Sequence, residues 1–163
     1  MKRLVRRAAL GLAVIGLGAL TGLVATPQPA AAALPNCTSG VWVQQLFGDF
    51  AWRYLPLFGR SWDCLLARGN QGPAVVALQN TLIKCYSQPI SRDGIFGAKT
   101  ETALRMAQTW ERVANHKNIA IDGKYGPQTR AAILWPAYPG TRSLDAPLMP
   151  QNRCRSLEVS APY

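Results

Sequence analysis

The chain has 163 residues and carries 18 Lys and Arg against 8 Asp and Glu, which gives a formal net charge of +10. This length fits one domain of ordinary size with short extensions. The cations are scattered and never form a run of five, so the charge does not indicate a nucleic-acid partner. A single His and eight dispersed acids argue against a metal-dependent hydrolase and against a pair of facing catalytic carboxylates. The composition therefore predicts a protein that is not an enzyme and that needs no metal or cofactor.

The first 33 residues follow the plan of a cleaved secretory signal peptide. Four cations precede the uncharged stretch 8–24, and residues 30–33 are all alanine, which suits a cleavage site. An uncleaved membrane anchor is the alternative, because about 17 apolar residues are close to the minimum for a spanning helix. Cleavage would lower the net charge from +10 to +6. We expect a secreted protein, extracellular or wall-associated, that touches the membrane only through an uncleaved signal peptide and is attracted to anionic polymers.

Residues 34–63 form an aromatic segment, which we expect to be an irregular N-terminal arm. Apolar residues at helical spacing predict one short helix over 44–54. Two interpretations of the aromatic residues stay open. They either pack against the domain, as aromatic side chains do in small cores, or present a surface to carbohydrate or to a protein.

Three helices are predicted after this arm. Pro73 suits a first helical position, and apolar residues at helical spacing continue to about residue 85. A second helix is predicted over 98–114 and a third over 127–134, because the proline at 136 disfavours helix in the residue before it. We place the domain at 64–135. The stretch 136–163, which contains five prolines, is expected to be an irregular C-terminal arm.

Four cysteines follow the predicted signal peptide. An even number in a secreted protein indicates two disulfides, with three possible connectivities. A turn at 69–72 would bring Cys64 alongside Cys85, since the extended run and the helix cover similar distances. We therefore predict the pairs Cys64–Cys85 and Cys37–Cys154, the second of which would join the two arms.

An internal repeat organises the predicted domain, because the motif at 93–100 returns at 122–129 with an offset of 29 residues. The same offset aligns Gln79 with Gln108. The aspartates of the two motifs can accept backbone hydrogen bonds in Asx turns, and the glycines permit backbone angles that other residues resist. Six residues are predicted to shape these loops rather than to touch a ligand: Asp93, Gly94, Gly97, Asp122, Gly123 and Gly126.

These motifs resemble the peptidoglycan-binding domain 1 family. The resemblance covers about residues 64–135 and rests on the glycines of 69–72, the stretch 75–82 and the two loops with the residues that follow them. It implies an all-α fold, a small three-helix bundle with an internal pseudo-two-fold repeat, here with two disulfide-tethered irregular arms. It also implies a non-catalytic role in anchoring to the bacterial cell wall.

The predicted function is therefore binding of peptidoglycan, or of another anionic wall polymer, by a secreted non-catalytic module. Arginines could clamp the carboxylates of stem peptides, and aromatic side chains could line an apolar groove. Exposure to solvent on a helix is the alternative role for the arginines, and core packing is the alternative for the aromatic residues. The candidate residues are Arg105, Trp110, Arg112, Tyr125 and Arg130.

A second hypothesis belongs to another class of function. The chain could be a secreted effector or inhibitor that binds a protein, such as a wall hydrolase, through its aromatic arm. Exposure of Trp42, Trp52 and Trp62 would favour this hypothesis, whereas burial of all three would favour a plain wall-binding module.

Overall fold

The computed structural model describes residues 33–44, 51–140, 142–149 and 153–157. The predicted signal peptide, apart from residue 33, lies outside these ranges. Within the described part of the chain, none of the helices has the length and apolar character needed to cross a membrane.

Three helices and four short strands form the fold of the described residues. In chain order they are β1 (Ser39–Gln44), β2 (Trp52–Leu57), α1 (Pro73–Tyr86), α2 (Ala98–Val113), α3 (Pro127–Ala132), β3 (Trp135–Pro136) and β4 (Cys154–Arg155). Proline begins both α1 and α3, where its missing N–H costs no helical hydrogen bond.

One hydrophobic core joins the helices to the loops between them. Leu78 and Leu82 of α1 and Leu104 of α2 are fully buried in it. Three aromatic side chains, one from each repeated loop and one from β3, complete the cluster: Phe96, Tyr125 and Trp135. Burial of each large apolar side chain stabilises the fold by about 1.5–3 kcal/mol. The two loops are therefore tied to the helices through their aromatic residues.

The expectation of an all-α three-helix bundle with irregular arms is wrong, because two antiparallel two-stranded sheets accompany the helices. The segment expected to be an irregular N-terminal arm contains the hairpin formed by β1 and β2, with Trp42 opposite Tyr54. The helix predicted over 44–54 is also wrong where the structure describes it, since Trp52 begins a strand. Residues 45–50 lie outside the described ranges.

The period of the apolar pattern explains this error. Arg53, Leu55 and Leu57 alternate along β2 and are buried, and Val43 of β1 packs against the core. Such a period of two is typical of a strand with one buried face. The helical spacing is instead formed by Val43, Tyr54 and apolar residues between them, so a short aromatic stretch can fit both patterns. Packing of the alternating face decides between them.

The stretch expected to be an irregular C-terminal arm also pairs with the rest of the fold. Strands β3 and β4 are antiparallel, with Pro136 opposite Cys154. Trp52 and Tyr138 exchange two backbone hydrogen bonds, at 2.9 and 3.0 Å. This exchange joins the hairpin to the residues that follow β3.

Two disulfides are present, as predicted, but their connectivity differs from the prediction. The pairs are Cys37–Cys64 and Cys85–Cys154, with Cα atoms 5.0 and 5.7 Å apart. The predicted pairs are wrong because the segment that follows Cys64 does not run back along α1. Leu65 instead exchanges backbone hydrogen bonds with the segment 35–37, which places Cys64 beside Cys37. The end of α1 is then free to meet β4 through the second disulfide.

Candidate functional site

A buried glutamine of α1 holds the first repeated loop. Gln79 Oε1 accepts a hydrogen bond from the backbone N–H of Gly94 at 2.8 Å. Its Nε2 lies at donor distance from Asp93 Oδ1, Ile95 O and Thr100 Oγ1, at 2.8, 3.1 and 3.1 Å. The Asp93 carboxylate also accepts from the Ile95 N–H, which forms an Asx turn. One amide thus bridges the loop to both α1 and the first turn of α2.

The second loop repeats this arrangement atom for atom. Gln108 of α2 accepts from the Gly123 N–H at 2.8 Å, and its Nε2 lies 3.0 to 3.2 Å from acceptors of Asp122, Lys124 and Thr129. Every partner is displaced by the 29 residues of the sequence repeat. The sequence repeat aligns the two glutamines but does not by itself indicate a role for them. Their shared offset with the Asp-Gly loops was the signal that could have identified them.

Hydrogen-bond donors lower the pKa of three carboxyl groups below their ordinary values. The pKa of Asp93 is lowered by a hydrogen bond from Gln79, and that of Asp145 by one from Arg92. The pKa of Glu101 is lowered by hydrogen bonds from Arg68 and then Arg105. A lowered folded pKa means that the unfolded state binds more protons in the acid range. These groups therefore stabilise the fold above their unfolded pKa, and that contribution is lost as the pH falls through the folded pKa.

Two of the four loop glycines adopt backbone angles that need glycine. Gly94 and Gly123 have φ of +74° and +69°, in the left-handed region that side chains disfavour. Gly97 and Gly126 instead precede α2 and α3 in extended conformations, with φ of −94° and −158°. The expectation that all four glycines supply special angles is therefore wrong for Gly97 and Gly126.

This difference predicts unequal effects of two alanine substitutions. Gly123→Ala is expected to lower the free energy of unfolding by about 1–2 kcal/mol, the cost of a side chain in the left-handed region. Gly97→Ala is the matched control, since its Cβ would meet no atom within 4 Å. We expect it to cost less than Gly123→Ala, about 0.5 kcal/mol, because Gly97 is the N-cap of α2 and alanine is less favourable than glycine there. Urea unfolding of both variants measures the difference, and equal midpoints would contradict the assignment.

The structure separates the five candidate binding residues into three places. Arg105, Trp110 and Arg112 lie on α2. Arg130 lies on α3, with Nη2 3.5 Å from Asp63 Oδ1. Tyr125 is fully buried and packs edge-on against Trp135, at 6.1 Å between ring centroids. The prediction that Tyr125 lines a groove is wrong, because it fills in the second loop the core position that Phe96 fills in the first.

Helix α2 presents an apolar surface to solvent. Met106, Trp110 and Val113 are 56%, 60% and 66% exposed, and their spacing of four and three residues places them on one side of the helix. Arg105 and Arg112 lie about two helical turns apart, in a row of α2 next to the one formed by the three apolar residues. We call these five residues the exposed α2 face. It combines apolar contact area with two permanent positive charges.

The two arginines of this face differ in what they already contact. Arg105 donates to the backbone oxygen of Ile121 at 2.9 Å and pairs with Glu101 at 3.2 Å. Glu101 also pairs with Arg68 at 2.8 Å, so the three side chains form one ionic cluster. Arg112 is exposed and lies next to Val113. Arg112 is therefore better placed than Arg105 to meet an external anion.

The second glutamate of α2 is part of the protein interior. Glu111 is fully buried and accepts hydrogen bonds from the Tyr86 hydroxyl at 2.6 Å and from Asn115 Nδ2 at 2.9 Å. The Tyr86 oxygen in turn accepts from the Leu134 N–H at 2.7 Å, and burial with the Glu111 contact raises the pKa of Tyr86. Glu111 and Tyr86 thus link α1, α2 and the segment that follows α3. Among the described residues, no group of three or more His, Cys, Asp or Glu could hold a metal ion.

Comparison with known proteins agrees with the resemblance found in the sequence. Residues 71–133 match the family described as putative peptidoglycan binding domain. The match begins just before α1, includes both glutamine-held loops and α2, and ends just after α3. The hairpin and strands β3 and β4 lie outside it. No curated protein and no solved structure matches the chain significantly.

Proposed function

Because residues 71–133 match the family described as putative peptidoglycan binding domain, we propose that this protein is a secreted, non-catalytic module that binds bacterial peptidoglycan through the exposed α2 face. Helix α2 lies wholly inside the matched residues. The observation that carries the proposal is the exposure of three large apolar side chains beside Arg112 on one helix of this domain. A monomeric protein rarely leaves such a patch open unless something binds there.

The chemistry of the face suits the stem peptides of peptidoglycan. Their carboxylates can accept charge-assisted hydrogen bonds from Arg112, and with partial rearrangement from Arg105. Their short apolar side chains can pack on Trp110 and Met106. The positive net charge of the chain adds long-range attraction to an anionic wall. Other anionic wall polymers share only the electrostatic part of this recognition.

The proposed location outside the cell is supported by the disulfides. Two disulfides are consistent with an oxidising extracellular or cell-wall compartment. We propose that residues 1–33 are the signal peptide that directs the chain there. We also propose that the binding domain spans 64–135, with the segments 34–63 and 136–163 pinned to it by the two disulfides.

Binding to isolated wall sacculi tests the proposed function. We expect Trp110→Ala combined with Arg112→Ala to weaken the apparent affinity for sacculi at least about tenfold, because it removes the main apolar contact and one charge-assisted contact. Leu34→Ala combined with Lys84→Ala is the matched control, since it also removes one exposed apolar residue and one exposed cation. Cosedimentation at several protein concentrations gives the affinities.

Two outcomes of this experiment would contradict the proposal. The first is wild-type cosedimentation no greater than that of a basic protein of the same size. The second is an equal loss of affinity in the α2 variant and in the control variant. Circular dichroism of both variants establishes that each remains folded.

The alternative of a protein-binding effector depends on the aromatic segment before α1. Trp42, Trp52 and Trp62 are each half-buried, which meets neither the condition of exposure nor that of full burial. The proposal of peptidoglycan binding therefore rests on the exposed α2 face, which lies inside the matched residues 71–133.

A further inference from the structure

The hairpin of β1 and β2 carries three half-buried aromatic residues on one of its sides. Trp42, Trp52 and Tyr54 occupy alternate positions, with Trp42 opposite Tyr54 and Gln44 opposite Trp52. Alternate residues of a strand point to the same side of a sheet, so the three rings share one side. Arg53, Leu55 and Leu57 on the other side are buried. A half-exposed sheet normally has a polar outer side, which makes this aromatic one informative.

The rings on this outer side form a connected layer. Trp42 and Tyr54 lie 5.0 Å apart between centroids with planes tilted by 42°, and Tyr138 meets Trp42 edge-on at 5.5 Å. The guanidinium of Arg142 lies 4.1 Å from the centroid of Trp52. We call Trp42, Trp52, Tyr54 and Arg142 the aromatic face. All three of its rings are half-buried rather than enclosed.

A glycine in β1 allows one of these rings to lie against the strand. A Cβ atom added to Gly40 would fall 2.3 Å from the Tyr54 ring, so a larger residue there would displace the ring. This close approach keeps the Tyr54 ring against β1 beside Trp42. The sequence thus makes room for the ring instead of filling the space with a side chain.

Contacts to the rest of the fold hold the aromatic face in place. Trp52 and Tyr138 are joined by two backbone hydrogen bonds, and the buried Tyr138 hydroxyl accepts from Asn80 Nδ2 of α1 at 2.7 Å. The disulfide Cys37–Cys64 anchors the start of the hairpin. A surface held in its binding geometry loses little conformational entropy when a ligand binds.

Charge and size together define the ligand that this face suits. None of its described residues is acidic, and its cation, Arg142, keeps in-plane N–H donors available while it stacks on Trp52. A ligand must therefore offer flat apolar surfaces for the rings and a carboxylate for the arginine. An aromatic side chain buries about 150–250 Å² in all, so three half-buried ones leave about 300 Å² or less to a partner. Stable protein partners need about 800 Å² per side, which argues against a protein here.

We infer that the aromatic face is a second binding site, outside the matched residues 71–133, that takes a carboxylated polysaccharide. Pyranose rings pack their C–H surfaces against Trp42 and Tyr54, and a carboxylate of the glycan accepts hydrogen bonds from Arg142. The α2 face would then contact stem peptides while the hairpin contacts a glycan strand. This inference does not rest on the proposed role of α2.

Calorimetric titration of the full chain with soluble glycan tests this inference. The probe is glycan strands from amidase-treated sacculi, which lack stem peptides and carry free lactyl carboxylates. We expect the wild type to bind them, and Tyr54→Leu and Arg142→Gln each to weaken binding about tenfold or more. Arg142→Gln changes an exposed side chain and guards against a result caused by misfolding. The Leu34→Ala, Lys84→Ala variant is the control and should bind as the wild type does.

The outcomes separate this inference from the proposed function. Absence of glycan binding by the wild type, or unchanged affinity in Arg142→Gln, would overturn the glycan site even if sacculi are bound through α2. Glycan binding that depends on Arg142 and Tyr54 would support it even if the α2 variant binds sacculi normally. Loss of glycan binding in the α2 variant, with Arg142→Gln unaffected, would also overturn it.

Discussion

Replacing Gln79 with leucine is expected to lower the free energy of unfolding by about 4 kcal/mol. The substitution keeps the side-chain volume but removes the amide that contacts four groups of the first loop. The Nε2 amide can donate two hydrogen bonds, which contribute about 1 kcal/mol each, and the buried Gly94 N–H left without a partner adds about 1–3 kcal/mol. Denaturant unfolding followed by circular dichroism measures the change.

The internal repeat supplies a second test of the same claim. Gln108→Leu should cost about as much as Gln79→Leu, because its four contacts are the same at an offset of 29 residues. Gln128→Leu, on an exposed position of α3, is the control and should change stability by less than about 0.5 kcal/mol. A loss below about 1 kcal/mol in either buried variant would refute the role assigned to these amides.

Removal of either disulfide is the second large effect that we expect. Replacing both cysteines of a pair with serine should cost about 3.6 kcal/mol for Cys37–Cys64 and about 4.4 kcal/mol for Cys85–Cys154, from loop-closure entropy. The difference follows from sequence separations of 27 and 69 residues. Thermal unfolding of the two double variants, each compared with the wild type that has both disulfides formed, measures both contributions.

The connectivity can be checked in the same set of variants. Cys37→Ser should destabilise as much as the Cys37→Ser, Cys64→Ser double variant, since either one removes the bond. Cys37→Ser combined with Cys154→Ser breaks both disulfides and should cost more than either pair alone. If the loss of stability in that combination instead equalled the loss from removing one disulfide, the chain would contain a Cys37–Cys154 bond, and the connectivity of the structure would be contradicted.

Much of the helical domain could be predicted from local sequence signals. The predicted helix starts at 73, 98 and 127 coincide with the observed starts of α1, α2 and α3. Proline at a first helical position and a Gly-rich loop before it are local features, and they need no knowledge of the rest of the fold. The repeat likewise revealed both loops, because two copies of one motif fold in the same way.

The features that were missed depend on contacts between distant residues. Whether Trp52–Leu57 forms a strand is decided by β1 and α1, and the stretch itself fits two periodicities. The disulfides follow the pairing of Leu65 with the segment 35–37, which no spacing of cysteines encodes. Strand pairing is non-local, so a single sequence constrains it weakly.

The candidate site shows the same division between local and distant information. The placement of Arg105, Trp110 and Arg112 on one helix follows from their spacing. The burial of Tyr125 does not, although its alignment with the core residue Phe96 at the repeat offset pointed to it. Exposure of Met106, Trp110 and Val113 depends on what else packs on α2, and that required the structure.

Fluorine NMR of the fluorotryptophan-labelled protein tests the central claim most directly. The chain has five tryptophans, of which Trp110 lies on the exposed α2 face and Trp135 is fully buried. Titration with soluble peptidoglycan fragments that carry stem peptides should shift or broaden the Trp110 resonance and leave that of the fully buried Trp135 unchanged. A Trp110 resonance that stays unaltered at fragment concentrations that saturate binding would contradict recognition through the exposed α2 face.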